Sequence, residues 1–223
     1  MTEIRLFSYK LASDTGFAPN PFWGSLTLAT CKPSMRKSKV VGDWIAGFTS
    51  QGLCGDRVGD ERLVYLMNVN KKLTIADYFR DERFASKIPS PSAKQEIARV
   101  GDNIYRPLCV DPRGWRDFEQ LPNPHHQDGE DGCGGHESRE HDVSGWFVLV
   151  STRFAYFGRN ALHIPFELRP DIPRGQSSHG SRTYNTDRAQ AFVDYIFESA
   201  GGRQVVGPPH AWPAGDDSWR MTG

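Results

Sequence analysis

Long apolar runs and a cysteine framework are missing from this 223-residue sequence, and we expect no signal peptide. No stretch approaches the roughly 18 apolar residues that a membrane-spanning helix needs. The first residues, MTEIRLFSYKL, begin with charges and alternate like a strand, which differs from a signal peptide. The four cysteines are unevenly spaced and indicate no disulfide set. We therefore expect a cytoplasmic protein in a reducing compartment, with no membrane partner.

An excess of charge of either sign is also lacking, since 27 basic residues balance 27 acidic ones. This balance argues against a protein that coats nucleic acid non-specifically, because such binding depends on many phosphate contacts. A small site that binds one nucleotide remains compatible with it. The charges are unevenly placed: residues 32–39 (KPSMRKSK) hold cations and no anion, whereas residues 128–142 are strongly acidic. The basic segment is either a phosphate contact or a solvated turn.

Several catalytic motifs are absent from the sequence. It contains no P-loop, no GxGxxG after a predicted strand, no zinc-deaminase signature and no GxSxG elbow. The missing P-loop argues against a motor-like ATPase or a conventional kinase. No recognisable catalytic set is left in the sequence.

Short strands dominate the hydrophobic pattern. Alternation of apolar and polar positions, or short apolar runs rich in aromatic and β-branched residues, predicts strands at 3–11, 25–31, 43–49, 62–70 and 146–158. The last of these segments is either two strands or one bent strand. Thr74 is the expected N-cap of one helix, and Asp187 is expected to open a second that Gly201 and Gly202 end.

These elements predict the α+β class, with a small curled, mostly antiparallel β-sheet or a partly open barrel and two or three helices. We expect a single domain over residues 1–223. A stretch rich in Pro, Gly, His and acidic residues at about 111–142 is typical of a loop insertion. Residues from about 203 onward predict an irregular C-terminal tail, draped over the domain or frayed.

Six phrases carry a resemblance to a known family. In chain order they are DTGFAPNPFWG, LTLATCKPSMR, GDWIAG, RLVYLMNVNKKLTIADYFRDERF, GDNIY and WFVLVSTRFAYFG. Together they resemble the nucleotide-modification-associated domain family, second type, over roughly residues 3–200. The resemblance implies a setting in phage and bacterial systems that hypermodify DNA bases, in conflict with restriction, with base-modifying enzymes as partners. It implies no particular reaction.

The Gly-Asp turns of GDWIAG and GDNIY add an architectural analogy. A Gly-Asp pair followed by an apolar strand is similar to a feature of small PUA-like barrels (named for pseudouridine synthase and archaeosine transglycosylase), which include proteins that bind modified bases. An open antiparallel sheet with two helices is the alternative.

The segment 14–37 is the predicted ligand-binding region. Phe17 could stack on a base and Asn20 could pair with a base edge, on a loop that its prolines stiffen. Lys32, Arg36 and Lys37 could contact phosphate. The alternative is that the aromatic residues form a hydrophobic plug and the cations are solvated. Beyond this segment, we also predict that Asp43 and Trp44, in the phrase GDWIAG, contact the ligand.

Three residues are candidates for chemistry. The Cys31 thiol beside cations could act as a nucleophile, although cysteine that closes an apolar strand is more typical of a core. Asp14 borders the aromatic loop and could accept a proton, but it is also a natural turn residue, as are Asp43 and Asp102. His179, in the Ser178-His179 pair near Arg182, could face the ligand, as could His125 or His126.

A group of histidines and cysteines has some features of a metal site: His125, His126, Cys133, His136 and His141. Their spacing matches no established zinc pattern and glycine and acid surround them, so we predict neither a metal nor another cofactor.

Together these observations predict a protein associated with nucleotide or DNA base modification, which binds a nucleotide or a modified base through segment 14–37. The first alternative is an enzyme that installs or removes a base modification by group transfer or glycosidic-bond chemistry. The second is a scaffold of a modification complex.

Overall fold

The computed structural model describes residues 4–126 and 138–222, which form ten strands and six α-helices. The strands are β1 (Leu6–Lys10), β2 (Leu26–Leu28), β3 (Trp44–Phe48), β4 (Leu63–Asn68), β5 (Lys71–Thr74), β6 (Tyr105–Pro107), β7 (Phe118–Gln120), β8 (Phe147–Ser151), β9 (Arg153–Tyr156) and β10 (Ser181–Thr183). The helices are α1 (Pro33–Ser38), α2 (Gln51–Cys54), α3 (Ile75–Arg80), α4 (Glu96–Arg99), α5 (Ser138–Ser144) and α6 (Thr186–Ala200).

Three sheets organise these strands. The largest has the order β10-β1-β3-β4-β9, in which β1 and β3 run parallel and the other neighbours run antiparallel. The second has the order β2-β8-β5, and β6 pairs with β7 in a third. The predicted α+β class is confirmed. Within the described residues no sheet closes into a barrel.

The predicted strands are confirmed, and the last is two strands separated by Thr152. The helices were harder to predict. The described residues contain six α-helices rather than two or three, but only α6 is longer than seven residues. The basic segment 32–39 folds into α1 instead of a surface turn.

The starts of α3 and α6 lie at or near the residues predicted from the sequence. The Thr74 hydroxyl accepts a hydrogen bond from the Asp77 amide at 3.0 Å, which confirms Thr74 as the N-cap of α3. The N-cap of α6 is Asn185, whose Oδ1 accepts from the Arg188 amide at 2.9 Å. Asp187 lies in the first turn of α6, so the prediction that it opens the helix is wrong by two residues. Gly201 ends α6 in a left-handed conformation, as predicted.

Alternation along β3 divides the core in two. Trp44, Ala46 and Phe48 face the apolar side of α6, where Phe192 and neighbouring side chains are buried. Ile45 points the other way, into a cluster shared with the second sheet. The largest sheet therefore lies between two layers, with α6 on one face and the second sheet on the other. Strand β1 contributes side chains to both layers.

The C-terminal segment is draped over the domain. Val205 bridges to Tyr156 of β9, and the Trp212 ring stacks on Phe22 with centroids 5.2 Å apart. The indole of Trp212 also donates to the Thr15 carbonyl at 2.8 Å. Aromatic contacts thus connect residues near 210 to the loop that contains the first family phrase.

Across the described parts of the chain, the helices include none that is both long enough and apolar enough to cross a membrane.

A pair of glycine variants tests this draping. Gly158 and Gly55 both have positive φ (52° and 77°), but a Cβ at Gly158 would overlap the Pro208 backbone, whereas none of the non-neighbouring atoms lies within 4 Å of a Cβ at Gly55. Gly55→Ala should cost only the left-handed strain, about 1–2 kcal/mol. Gly158→Ala should cost clearly more, because the segment at Pro208 must also move. Urea unfolding of both variants measures the difference, and equal losses would show that the segment packs loosely.

Candidate functional site

A cleft of about 530 Å³ lies where β1 ends beside α1. This volume is within the range typical of small-molecule sites. Its walls come from β1 and the following loop, the start of α1, residue His141 of α5, and the loop at 176–178. The lining residues are Tyr9, Leu11, Ala12, Ser13, Ala18, Cys31, Lys32, Pro33, Ser34, His141, Gln176, Ser177 and Ser178.

A cation and an aromatic ring meet in this cleft. The Lys32 ammonium lies 5.3 Å from the centroid of the Tyr9 ring and donates to the Gln176 side-chain oxygen at 3.2 Å. The Tyr9 hydroxyl is hydrogen-bonded to the Tyr65 hydroxyl at 2.7 Å. Burial raises the pKa of Tyr9, although the hydrogen bond from Tyr65 opposes this shift, so the phenol stays protonated.

The backbone that presents these groups is in an unusual conformation. Cys31 and Lys32 have φ of 53° and 42°, the left-handed region that residues other than glycine rarely adopt. Such a residue costs of the order of 1–3 kcal/mol and persists only where its surroundings hold it. Here the Asp142 carboxylate accepts from the Cys31 amide at 2.6 Å, and the Arg36 Nε donates to the Cys31 carbonyl at 2.8 Å.

Arg36 and Asp142 form a fully buried ion pair behind the cleft. The two other guanidinium nitrogens of Arg36 donate to the carbonyls of Phe147 and Asp142, at 2.7 and 2.5 Å. Burial lowers the pKa of Arg36, and the Asp142 charge opposes that shift. Gly145 makes room for the pair, because a Cβ there would come within 2.8 Å of the guanidinium.

The Asp142 carboxylate also gathers side chains from the opposite side. The Tyr105 hydroxyl donates to it at 2.8 Å, and the His126 Nε2 lies 3.0 Å away. Burial by itself raises the pKa of Asp142, but the hydrogen bond from His126 and the Arg36 charge outweigh burial and hold the pKa below its usual value. Asp142 therefore stays ionised and fixes three chain segments around the cleft wall.

The structure separates the predicted site residues into three groups. Cys31 and Lys32 line the cleft, and exposed His179 lies beside it, bonded to the Ser178 hydroxyl at 2.9 Å. Lys37 is exposed on another side of α1. The remaining candidates are buried outside the cleft lining: Asp14, Phe17, Asn20, Arg36, Asp43 and Trp44.

The buried candidates have structural partners. Asp14 accepts from the Tyr156 hydroxyl at 2.5 Å and lies 2.8 Å from the His210 Nδ1, so it anchors the C-terminal segment. The Phe17 ring packs 5.1 Å from that of His126. Since burial keeps Phe17 from offering a free face to a base, the expected stacking would need the loop to rearrange.

Asp43 and Trp44, at the start of β3, also have partners within the protein. Asp43 pairs with Arg5 at 3.0 Å and accepts from the Val40 amide at 3.0 Å, which is the turn role considered from the sequence. Trp44 packs edge-on against Phe197 of α6 at 5.9 Å. Neither residue has a surface on the cleft.

Asn20 belongs to a second buried polar network. Its Oδ1 accepts from the Lys87 ammonium at 2.6 Å, and Lys87 also donates to the Ser25 carbonyl. Asp102 is held by the hydroxyls of Thr27 and Tyr78, at 2.6 and 2.7 Å. Burial lowers the pKa of Lys87 to about 8 and raises that of Asp102, while each charge opposes the shift of the other.

The described histidines that were considered as metal ligands have different neighbours. His126 contacts Asp142, His125 lies 3.9 Å from Glu96, and His141 lines the cleft. Cys133 and His136 lie outside the described residues. In the described ranges, no three His, Cys, Asp or Glu side chains cluster as metal ligands.

Sequence reasoning missed Asp142, Tyr105 and Tyr9. Tyr9 and Tyr105 sit in apolar strand patterns that predict a core, and Asp142 sits in an acidic run that predicts solvent. Arg36 was among the predicted site residues, but a single sequence does not show which carboxylate pairs with it.

Comparison with known proteins gives one match. The family described as Nucleotide modification associated domain 2 matches residues 3–216, nearly the whole chain. Searches among curated proteins and among solved structures found no significant match.

Removing the Asp142 charge should destabilise the fold. Asp142→Asn leaves the Arg36 guanidinium buried without its counter-charge, so we expect a loss of about 3–5 kcal/mol in the free energy of unfolding at pH 7. The control is Asp217→Asn, at an exposed ion pair with Arg220, which should cost less than about 1 kcal/mol. Urea unfolding measures both, and equal losses would contradict the assignment.

The same variant gives a pH test. The folded pKa of Asp142 lies below its ordinary value of 3.8. Its contribution is therefore complete above about pH 4 and is lost as the pH falls through the folded pKa. The stability gap between wild type and Asp142→Asn should narrow under acid. A difference in unfolding free energy between the two proteins that widens as the pH falls would contradict an ionised Asp142 with a lowered pKa.

Proposed function

The chain belongs to the nucleotide modification associated domain 2 family, and from this premise we propose that it binds a nucleotide or a modified DNA base in the cleft beside Lys32. The observation that carries the proposal is the Lys32 ammonium held next to the Tyr9 ring at the cleft wall. A cation and polar hydroxyls in a concave site of this size suit a small, flat, anionic ligand.

The proposed ligand contacts come from the predicted segment; they keep Lys32 but leave out Phe17 and Asn20. Cys31, Lys32, Pro33 and Ser34 enter the cleft, while Phe17 and Asn20 hold the surrounding structure. Lys32 supplies the charge for a phosphate. The Ser177 and Ser178 residues across the cleft supply polar groups for a base or sugar.

The rigid wall favours recognition over loose association. The backbone at 31–32 is held in the left-handed region by the Arg36–Asp142 pair before any ligand arrives. A preorganised site loses little conformational entropy on binding, so a small contact area can still give selectivity.

Catalysis is the second candidate function. The observation in its favour is the position of Cys31, on strained backbone in the cleft with His141 also in the lining. Incubation with nucleotides and base-modified DNA, followed by mass analysis of the nucleosides, tests it. A mass change that Cys31→Ser abolishes would support catalysis, and no change with any base or donor would leave binding alone.

A lysine pair tests the binding site. Lys32→Asn removes the cleft charge while keeping a residue that tolerates left-handed backbone. We expect deoxynucleoside monophosphates to bind about tenfold or more weakly, since a hydrogen bond to a charged group contributes about 1.5–3 kcal/mol. Lys94→Asn, at an exposed lysine outside the cleft lining, is the matched control. Calorimetric titration with plain and base-modified monophosphates measures both.

Salt dependence gives the second readout of that experiment. One phosphate contact predicts a slope of log K against log salt of only about −0.7 to −0.9. If Lys32→Asn binds the monophosphates with wild-type affinity, the cleft is not the binding site, because the charge at its wall would then not contribute to binding.

A further inference from the structure

A second groove, of about 370 Å³, adjoins the cleft across the ridge formed by α1 and α5. Three partly exposed aromatic side chains line it: Trp115, Trp146 and Phe147. Two exposed cations, Lys37 and Arg113, lie at its walls.

The aromatic rings are arranged with cations over their faces. The guanidinium carbons of Arg116 and Arg139 lie 4.4 and 4.9 Å from the Trp115 ring centroid. The Lys72 ammonium lies 4.4 Å from the centroid of Phe147. A guanidinium stacked on a ring presents a second flat, cationic face, on which a nucleobase can also stack.

The backbone holds Trp146 in place at a cost. Its φ is 60°, which is rare for so large a side chain. The Trp146 amide donates to the Val143 carbonyl of α5 at 2.8 Å, and its ring meets Phe118 edge-on at 6.3 Å. Strained residues that the surroundings fix cluster at binding sites.

The local charge suits a polyanion even though the whole chain is neutral. Among the described residues that line the groove or contact its lining, the cations Lys37, Lys72, Arg113, Arg116 and Arg139 outnumber the carboxylates Asp111, Asp117 and Glu140. Aromatic faces next to backbone-tracking cations are the combination that binds single-stranded nucleic acid. A duplex would hide its base faces from these rings.

The groove and the cleft are connected through two helices. In α1, Ser34 lines the cleft and Lys37, three residues later, lines the groove. In α5, His141 lines the cleft and Ser144 lines the groove. The cleft and the groove therefore share the walls made by α1 and α5, with lining residues about one helical turn apart along each helix.

We propose that this aromatic groove binds the single-stranded nucleic acid next to the nucleotide held in the cleft. The proposal rests on the proposed function and specifies its substrate class: a nucleotide within a strand rather than a free one. The groove supplies stacking and phosphate contacts that do not depend on sequence, and the cleft supplies selectivity for one base.

Binding of fluorescein-labelled (dT)8 by anisotropy, beside calorimetry with dTMP, tests the groove. Wild type should bind (dT)8 at least about tenfold more tightly than dTMP. Trp115→Ala should weaken (dT)8 binding by about 5- to 100-fold and leave dTMP unchanged. The matched control is Tyr184→Ala, an exposed aromatic that also has an arginine 5.0 Å from its ring but lies outside both linings.

A second variant, which removes charge instead of an aromatic ring, tests the groove if Trp115→Ala does not fold. Lys37→Ala with Arg113→Ala alters only exposed side chains, and should weaken (dT)8 binding and reduce the magnitude of the salt slope by about 1.4. Three outcomes would each overturn the proposal. The wild type could bind (dT)8 no more tightly than dTMP, it could bind a matching duplex more tightly than (dT)8, or the groove variants could bind (dT)8 as well as the control does. If the groove variants lose affinity for (dT)8 while Lys32→Asn keeps wild-type affinity for both (dT)8 and dTMP, the result would support binding in the groove and overturn binding in the cleft.

Discussion

The buried pair of Arg36 and Asp142 is the interaction on which the candidate site depends. Taking both charges out of water is costly, and the pair compensates only because nearly every polar atom has a partner. Arg36 bonds to the carbonyls of Cys31, Phe147 and Asp142, and the Asp142 carboxylate accepts from the Cys31 amide and Tyr105. Segments that are about 110 residues apart in sequence meet there. The strained backbone at 31–32, the start of β8 and helix α5 are consequently fixed by one contact.

A second buried network explains why the phrase DTGFAPNPFWG looks so specific. Asn20 satisfies the Lys87 ammonium inside the protein, and Asp14 ties the same loop to His210. Such residues are constrained by hydrogen bonding in a dry environment, where an unmatched polar group is expensive. Asn20 and Asp14 thus hold the loop in place from within the protein. The lining of the cleft includes small residues such as Ser34 and Ala18.

The sequence predicted what depends on local pattern and missed what depends on distant pairing. Alternation located the strands, Thr74 located a helix start, and the α+β class followed from both. Asn185 and Asp187 are both good N-caps, so sequence preference could not choose between them. Arg36 lies in a basic run that resembles a solvated surface, and its burial is decided by Asp142, 106 residues away. Lys32 and Cys31, predicted from their residue types, line the cleft, whereas Phe17, predicted to stack on a base, packs against His126.

The side chains of helix α1, in the basic segment 32–39, point in three different directions. Successive residues of a helix point about 100° apart. Ser34 therefore faces the cleft, Arg36 the core and Lys37 the groove. Six residues with a left-handed Lys32 at the N-cap and no capping side chain would not form a stable helix alone. The helix exists because Arg36 is anchored, so the cleft and the groove share a wall whose geometry is set from the core. A ligand that spans both openings would meet two surfaces already held at a fixed separation, which is what reading one base within a strand requires.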